Sequence, residues 1–280
     1  MKVTYISYKI ENKSYLVKIN RKSGGINHFY HFLLDFIWPF YYSMEFYGVA
    51  GGKVSSFFTN DEEALFFNDH FLQIFGTNIQ KSNFQILRTR LLKSPLTIVG
   101  FNSKRRDYYE IFLNEADFRL SQRRLREFML LSLGIKQRHQ QPLVVLIERK
   151  GSVAGGGAAR RAIVNHDELR HKLQASCDSS GVIFRNVELA SMTFKDQIDL
   201  FGNDNITIIG QHGAGLVNML WLNNSNGCII ELMGETKEHF KNLANDLGIE
   251  YHRVFCKSNN VQALNREEIV VDIEKVLNLI

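Results

Sequence analysis

Three polar residues recur at a fixed spacing inside an otherwise aromatic stretch. Asn27, His31 and Asp35 stand at i, i+4 and i+8 among Phe29, Tyr30, Phe32, Leu33, Leu34, Phe36, Ile37 and Trp38. On a helix, at about 100° per residue, they span roughly 80° of one face. A half-buried aspartate beside a histidine can take a proton from an alcohol. This makes Asp35 a candidate general base, with His31 as its orienter or its substitute. The competing reading is that Asn27 caps the helix while His31 and Asp35 satisfy each other in the core. A helix lying on a membrane fits less well, because the polar face lacks the lysines and arginines expected there.

A second constellation lies in Ile206-Thr207-Ile208-Ile209-Gly210-Gln211-His212-Gly213-Ala214-Gly215. A strand runs into small residues, and a helix is expected directly after them, from Gly213 to Leu222. Small residues let a ligand approach the backbone, and a helix N-terminus offers unused N–H groups. A phosphate suits such a turn, and His212 could donate to it. The plain alternative is a tight turn with a packed histidine. The order of residues is not G-x-G-x-x-G, no G-K-[ST] follows, and there is no G-x-S-x-G elbow.

Arginines supply a third group. Glu148-Arg149-Lys150 follows the apolar strand Leu143 to Ile147, and a Gly-rich run, Gly151 to Ala159, leads to Arg160-Arg161. Arg149 and Arg161 could clamp phosphate oxygens bidentately, with the run between them closing over a ligand. A solvated surface loop is the alternative. Glu231, inside Ile229-Ile230-Glu231-Leu232, is costly there unless paired. It could hold ribose hydroxyls or neutralise a nearby arginine.

The elements that must position these groups divide into two halves. The first half reads as a hairpin, Val3 to Tyr8 and Tyr15 to Ile19, then a long aromatic helix from about Asn27 to Tyr47. A strand at Val54 to Thr59, a helix at Asp61 to Phe75, short strands near Phe84 to Leu87 and Thr97 to Phe101, and a helix from Glu115 to Leu133 follow. Arg119, Arg123, Arg124 and Arg126 are read as a solvated face of that last helix. The second half alternates short apolar strands with helices, the pattern of a parallel sheet covered on both faces. Ligands bind such sheets at the carboxyl ends of the strands. The polar segment Lys136 to Pro142 marks a linker. The expected division is residues 1–138, residues 139–264, and a final amphipathic helix over 265–280 that could cross back to the first domain.

Composition narrows the function classes. Of the 280 residues, 45% are apolar and 22% charged, which excludes disorder and coiled coil as whole-chain readings. The net charge of +5 suits an anionic ligand but is too small and dispersed to imply nucleic acid. No window reaches the length of a transmembrane helix, and the N-terminus alternates like a strand, without a signal-peptide core. Three cysteines spaced far apart suggest neither a disulfide framework nor a metal site, and a reducing, cytoplasmic compartment is expected.

In order and spacing these residues together resemble glycosyltransferase family 61, which contains plant β-1,2-xylosyltransferases and O-linked N-acetylglucosaminyltransferases. The resemblance runs from about Asn27 to Glu231. It rests on Asn27-x-x-x-His31-x-x-x-Asp35, the strand ending in Arg149, and Arg161-Ala162-Ile163-Val164-Asn165-His166-Asp167-Glu168-Leu169. It continues through Thr193-Phe194-Lys195-Asp196-Gln197-Ile198-Asp199-Leu200-Phe201, His212-Gly213-Ala214-Gly215-Leu216-x-Asn218 and Ile230-Glu231-Leu232. The Gly151 to Ala159 run, Gln211, Val217 and the lack of a membrane anchor depart from the family pattern. They point to a soluble bacterial or virus-encoded member.

The resemblance implies an α/β chain of GT-B architecture, two Rossmann-like domains facing across a cleft, the first for a glycan acceptor and the second for a UDP-sugar. It implies inversion at the anomeric carbon with Asp35 as base. The diphosphate would lie at Arg149, Arg161, His212 and the Gly213, Ala214 and Gly215 amides, the ribose at Glu231, and the uracil near Val187 to Thr193. UDP-xylose is the first expected donor, then UDP-N-acetylglucosamine, then a pentose such as UDP-arabinose. There is no Asp-x-Asp motif, so no metal or other cofactor is expected. The alternative from another class is a non-catalytic module that binds nucleotide sugars or glycans. Stable membrane insertion and nucleic-acid binding are not expected.

Overall fold

A computed structural model describes residues 2–10, 13–21, 29–46, 48–82, 98–102, 115–135, 141–149, 161–223, 226–234, 237–261 and 266–280. Asn27, the expected strand Phe84 to Leu87 and the Gly151 to Ala159 run lie outside these residues. The chain separates into two compact units, Met1–Lys136 and Gln137–Ile280.

In the first unit, β1 (Lys2–Ile10) and β2 (Lys13–Arg21) pair antiparallel from Lys2↔Arg21 to Ile10↔Lys13. β1 is also antiparallel to β3 (Val54–Thr59). β4 (Ile79–Lys81) runs parallel to β3, and β5 (Ile98–Asn102) parallel to β2. The order is β4-β3-β1-β2-β5. This sheet is mixed, unlike the all-parallel sheet of a Rossmann-like domain. The cause is local: the link between β1 and β2 is too short for the crossover of a dozen or more residues that parallel neighbours need.

The aromatic stretch is helical but not uniformly α. α1 (Phe29–Phe32) passes into a π-helical turn, Leu33–Ile37, and then into α2 (Trp38–Phe46). Trp38 N–H bonds to the Leu33 carbonyl, five residues back. Pro39 accounts for the change. It has no N–H to give the Asp35 carbonyl, and its ring would collide with that carbonyl in a regular α-helix. A wider turn ahead of the proline removes the collision. The backbone of Asp35 therefore lies in the widened turn.

Phe32, Phe36 and Phe40, spaced four apart, form the inward face and are fully buried. They meet Phe57 on β3 and Phe71 on α3 (Asn68–Phe75), with Phe40 edge-on to Phe57 at 4.7 Å and Phe36 edge-on to Phe71 at 5.4 Å. α4 (Glu115–Ser132) closes the unit, and Trp38 Nε1 donates to Ser121 Oγ at 3.1 Å. Arg123 and Arg124 are exposed as expected, but Arg126 is buried. It shares the inward stripe with Gln122 and Met129, four residues before it and three after.

The second unit holds β6 (Leu143–Glu148), β7 (Arg161–Ile163), α5 (His166–Ser180), β8 (Ile183–Glu188), α6 (Phe194–Phe201), β9 (Ile206–Gln211), β10 (Gly227–Met233), α7 (His239–Leu247), β11 (Glu250–Phe255), β12 (Lys257–Val261), β13 (Arg266–Val270) and α8 (Ile273–Leu277). Five strands form an all-parallel sheet in the order β11-β10-β9-β6-β8. Continuous apolar strands such as Leu143 to Ile147, all buried, require cover on both faces. Leu169, Leu173 and Cys177 of α5 and Ile273 and Val276 of α8 pack with Leu146, Ile209 and Ile230 of the sheet. This is a doubly wound α/β layer whose order reverses between β6 and β9, the neighbours from which the chain winds outward in both directions.

Residues 265–280 do not form one helix. β13 pairs parallel with β7 and antiparallel with β12 in a separate small sheet, and only Ile273–Leu277 is helical. The β-branched run Ile269-Val270-Val271 prefers the strand, and Ile269 and Val271 enter the core of this unit. Asn165 fixes the segment by bonding Val271 twice, Nδ2 to its carbonyl and Oδ1 from its N–H, both at 2.9 Å. Asp272 then caps the short helix by accepting from Lys275 N–H. Among the described residues, no helix is long and apolar enough to cross a membrane.

Phe57 is fully buried in the ring cluster. Phe57→Ala is expected to destabilise the first unit by about 3–5 kcal/mol, read as a lowered denaturation midpoint in urea.

Candidate functional site

The carboxyl ends of β6 and β9 lie side by side at the point where the sheet order reverses. Arg149 follows β6, and His212 and Gly213 follow β9. The guanidinium of Arg149 rests against the Gly213 backbone. A Cβ placed on Gly213 would lie 1.8 Å from Arg149 Nη2. Any larger residue here would have to push the guanidinium away from the turn. A Cβ on Gly215 would lie 2.9 Å from Leu189 Cδ1 and 3.5 Å from Ile147 Cγ2, so the β8 and β6 ends crowd the same turn.

The helix expected after the turn is present as a 3-10 helix, Ala214–Trp221. Its first ladder bond runs from Leu216 N–H to the Gly213 carbonyl at 3.0 Å. The amides of Gly213, Ala214 and Gly215 precede that bond and take no part in the ladder. Asn218 explains the tight winding. Fully buried, it donates from Nδ2 to the Gly215 carbonyl at 3.1 Å and to Gln197 Oε1 at 3.2 Å, and accepts from Trp221 Nε1 at 3.1 Å. Gln197 in turn donates to the Leu189 carbonyl at 3.1 Å. The turn, α6 and the β8 end are thus tied together through two side-chain amides.

His212 is held from below. Its Nδ1 lies 2.5 Å from Glu231 Oε1, and its ring packs edge-on against Phe240 at 5.2 Å. Glu231 has no solvent exposure, and its second oxygen accepts from the Tyr251 hydroxyl. Arg253 Nε donates to that hydroxyl at 3.2 Å, while Nη1 bonds Glu238 and Nη2 the Lys237 carbonyl, both at 2.8 Å. The bonds have one direction: Arg253 gives to Tyr251, Tyr251 gives to Glu231, and His212 Nδ1–H gives to Glu231. Both carboxylate oxygens are engaged inside the protein. Among the described residues its bonded side chains are those of His212 and Tyr251, and it stands behind His212, fixing the tautomer that carries the proton on Nδ1.

The structure thus brings together Arg149, His212, Gly213, Ala214, Gly215 and Glu231. Arg161 lies on β7 in the small sheet, where its backbone is in register with Glu267. His31 and the backbone of Asp35 belong to α1 and the π-helical turn of the first unit. Tyr251 and Arg253 were not among the expected site residues. Their signal was the parallel register that places Arg253 opposite Glu231 and Tyr251 opposite Ile229. A guanidinium, three amides outside the ladder and an oriented imidazole, all at a topological switch point, are the kinds of donor that an anion would take.

Burial and the neighbouring Glu231 carboxylate push the Tyr251 phenol well above its ordinary 10.0. The folded state thus holds this proton more tightly than the unfolded chain. Its contribution is full below pH about 10 and is lost as pH rises further. Tyr251→Phe is expected to cost about 1–3 kcal/mol at neutral pH, through the partner lost to a buried carboxylate. It should also flatten the fall in stability above pH 10, read by urea denaturation across pH.

The family model for glycosyltransferase 61 matches residues 29–230. A curated relative, the EGF domain-specific O-linked N-acetylglucosamine transferase of Drosophila melanogaster, is 37% identical over 92 residues. Those residues are 32% of this chain and 17% of the fly protein, so the chain spans a small part of that relative's length. A match that begins in the aromatic helix and ends in β10, beside Glu231, takes in the π-helical turn, Arg149 and the His212–Gly215 turn, and the chain belongs to glycosyltransferase family 61.

Proposed function

We propose that this protein transfers a sugar, with inversion, from a UDP-sugar to a hydroxyl of a glycan acceptor. The observation that carries the reading is the Arg149 guanidinium seated on Gly213 beside the His212 imidazole at the switch point of a parallel sheet. The diphosphate is assigned to Arg149, His212 and the Gly213 to Gly215 amides, with Arg161 as a further cation and the uracil near Val187 to Thr193. With Nδ1 committed to Glu231, Nε2 is the His212 nitrogen that meets the ligand. Glu231 acts through His212 rather than on ribose.

The first unit is assigned the acceptor, as in a GT-B enzyme, with Asp35 as general base and His31 as its reserve. A π-helical turn, often found at functional sites, supports placing the base there. Asp35 takes the proton of the acceptor hydroxyl, and the oxygen forms its bond to the anomeric carbon. The bond from that carbon to the diphosphate oxygen breaks, and UDP leaves with the electron pair. Charge on the leaving diphosphate is met by the guanidinium and fixed N–H dipoles, which is the basis for expecting no metal requirement. UDP-xylose and UDP-N-acetylglucosamine are the two donors to compare first. The second gains support from the name of the fly relative.

Calorimetric titration with each UDP-sugar in EDTA tests the reading. Binding is expected, and silence with both donors and with UDP plus Mg²⁺ would overturn it. Arg149→Ala is expected to weaken binding by roughly tenfold to a hundredfold, the worth of a charge-assisted hydrogen bond. Gly213→Ala should do much the same by evicting the guanidinium, and the double variant should be little worse than Arg149→Ala alone.

Asp35→Asn is expected to lower turnover by ~10²- to 10⁴-fold while UDP binding persists. Near-normal turnover in that variant would remove Asp35 from the role. Donor binding without UDP release on addition of any acceptor would favour a binding module.

A further inference from the structure

The face of the sheet opposite Glu231 carries a second group of side chains, at the other end of the same two strands. Cys228 on β10 is in register with Glu250 on β11, and His252 follows Glu250 by two residues. All three therefore project from one face. One donor atom from each lies within 4.8 Å of the others, and His252 Nε2 is 2.8 Å from Glu250 Oε1. Cys228 is half-buried, the His252 side chain is 33% exposed and that of Glu250 67%. The group is enclosed on one side and open on the other.

We propose that Cys228, Glu250 and His252 bind a divalent cation of the zinc class, with water as the fourth ligand. One thiolate, one imidazole and one carboxylate form a borderline-soft donor set that favours zinc over magnesium or calcium. Ligand atoms about 2.0–2.3 Å from a tetrahedral ion lie roughly 3.3–3.8 Å apart. The three donor atoms already lie within 4.8 Å of one another, close to that spacing. On binding, the Cys228 thiol gives its proton to solvent and the Glu250–His252 hydrogen bond is exchanged for two metal bonds.

Position suggests what the ion does. Among the described residues β11 is the edge of the sheet, with β10 as its neighbour. Edge strands are the least secured part of a sheet. A metal joining the start of β11 to the start of β10 would staple that edge. Cys228 is three residues before Glu231, about 10 Å along the strand, and points to the other face. The ion would therefore support the strand pair that holds Glu231 and Tyr251 without entering the proposed diphosphate site.

Cobalt(II) titration of the full chain tests this directly, independently of donor binding. One equivalent is expected to produce a thiolate-to-cobalt charge-transfer band in the near ultraviolet and tetrahedral bands in the visible, and zinc should displace both. Cys228→Ser should abolish the charge-transfer band, and His252→Gln, a change at a partly exposed side chain, should weaken cobalt binding. Zinc should raise the thermal midpoint of the native protein but not that of Cys228→Ser. No charge-transfer band under excess cobalt, or a band that survives Cys228→Ser, would overturn the proposal. Glu250 and His252 would then be an ordinary surface ion pair.

Discussion

A carboxylate with no solvent exposure, in the middle of a parallel sheet, sets the conditions for everything around it. Glu231 lies on β10 between β9 and β11, and each of its oxygens must find a donor or the fold loses several kcal/mol. His212 supplies one and Tyr251 the other. Those partners come from the two neighbouring strands, one from the turn after β9 and one from β11. The requirement of one buried charge therefore fixes the orientation of an imidazole at the carboxyl end of the sheet. It also fixes the rotamer of a phenol on the edge strand, which Arg253 then braces from the far side.

The turn after β9 depends on the same economy of partners. Gly213 leaves room for a guanidinium, and Asn218 and Gln197 hold the turn so that the room persists. A flexible glycine turn left to itself would lose its shape to entropy. Here, side-chain amides buried beneath it take the place of the rigidity that a Cβ would have given. The tight 3-10 winding follows from the Asn218 bond to Gly215 and leaves the first three amides clear of the ladder. A preorganised set of N–H dipoles needs no rearrangement as charge develops on a leaving group.

Much of this was legible in the residues, and the gaps have physical causes. Short apolar runs between helical segments marked β6, β9 and β10, because buried parallel strands need continuous hydrophobicity. The His212 to Gly215 turn and the cost of Glu231 were visible for the same reason: small residues and buried charges are rare where a sheet should be solid. The bond from Tyr251 to Glu231, and the one from Arg253 to Tyr251, were not visible, since they arise only through parallel register, which no local pattern encodes. The 265–280 segment has helical spacing, and only its pairing with β7 and the Asn165 bonds to Val271 make its first part a strand. The mixed order of the first sheet was implicit in the hairpin. The widened turn at Asp35 was implicit in Pro39, whose missing N–H falls one turn after the aspartate.

Register is the deeper constraint that joins the two ends of the β10–β11 pair. With Cys228 opposite Glu250, Ile230 falls opposite His252 and Glu231 opposite Arg253. Side chains alternate with a period of two, so a slip of one residue would carry every side chain of β11 to the opposite face. Glu231 would lose Tyr251, His212 would lose the support of its partner, and Glu250 and His252 would leave Cys228 in the same movement. Backbone hydrogen bonds alone do not forbid such a slip, because a parallel ladder repeats along the strand. What forbids it is the unequal chemistry of the two faces: buried apolar residues and a Cys–Glu–His group on one, a carboxylate bound to a phenol on the other. The specificity of the edge strand thus resides in a few polar contacts, and the orientation of His212 follows from them.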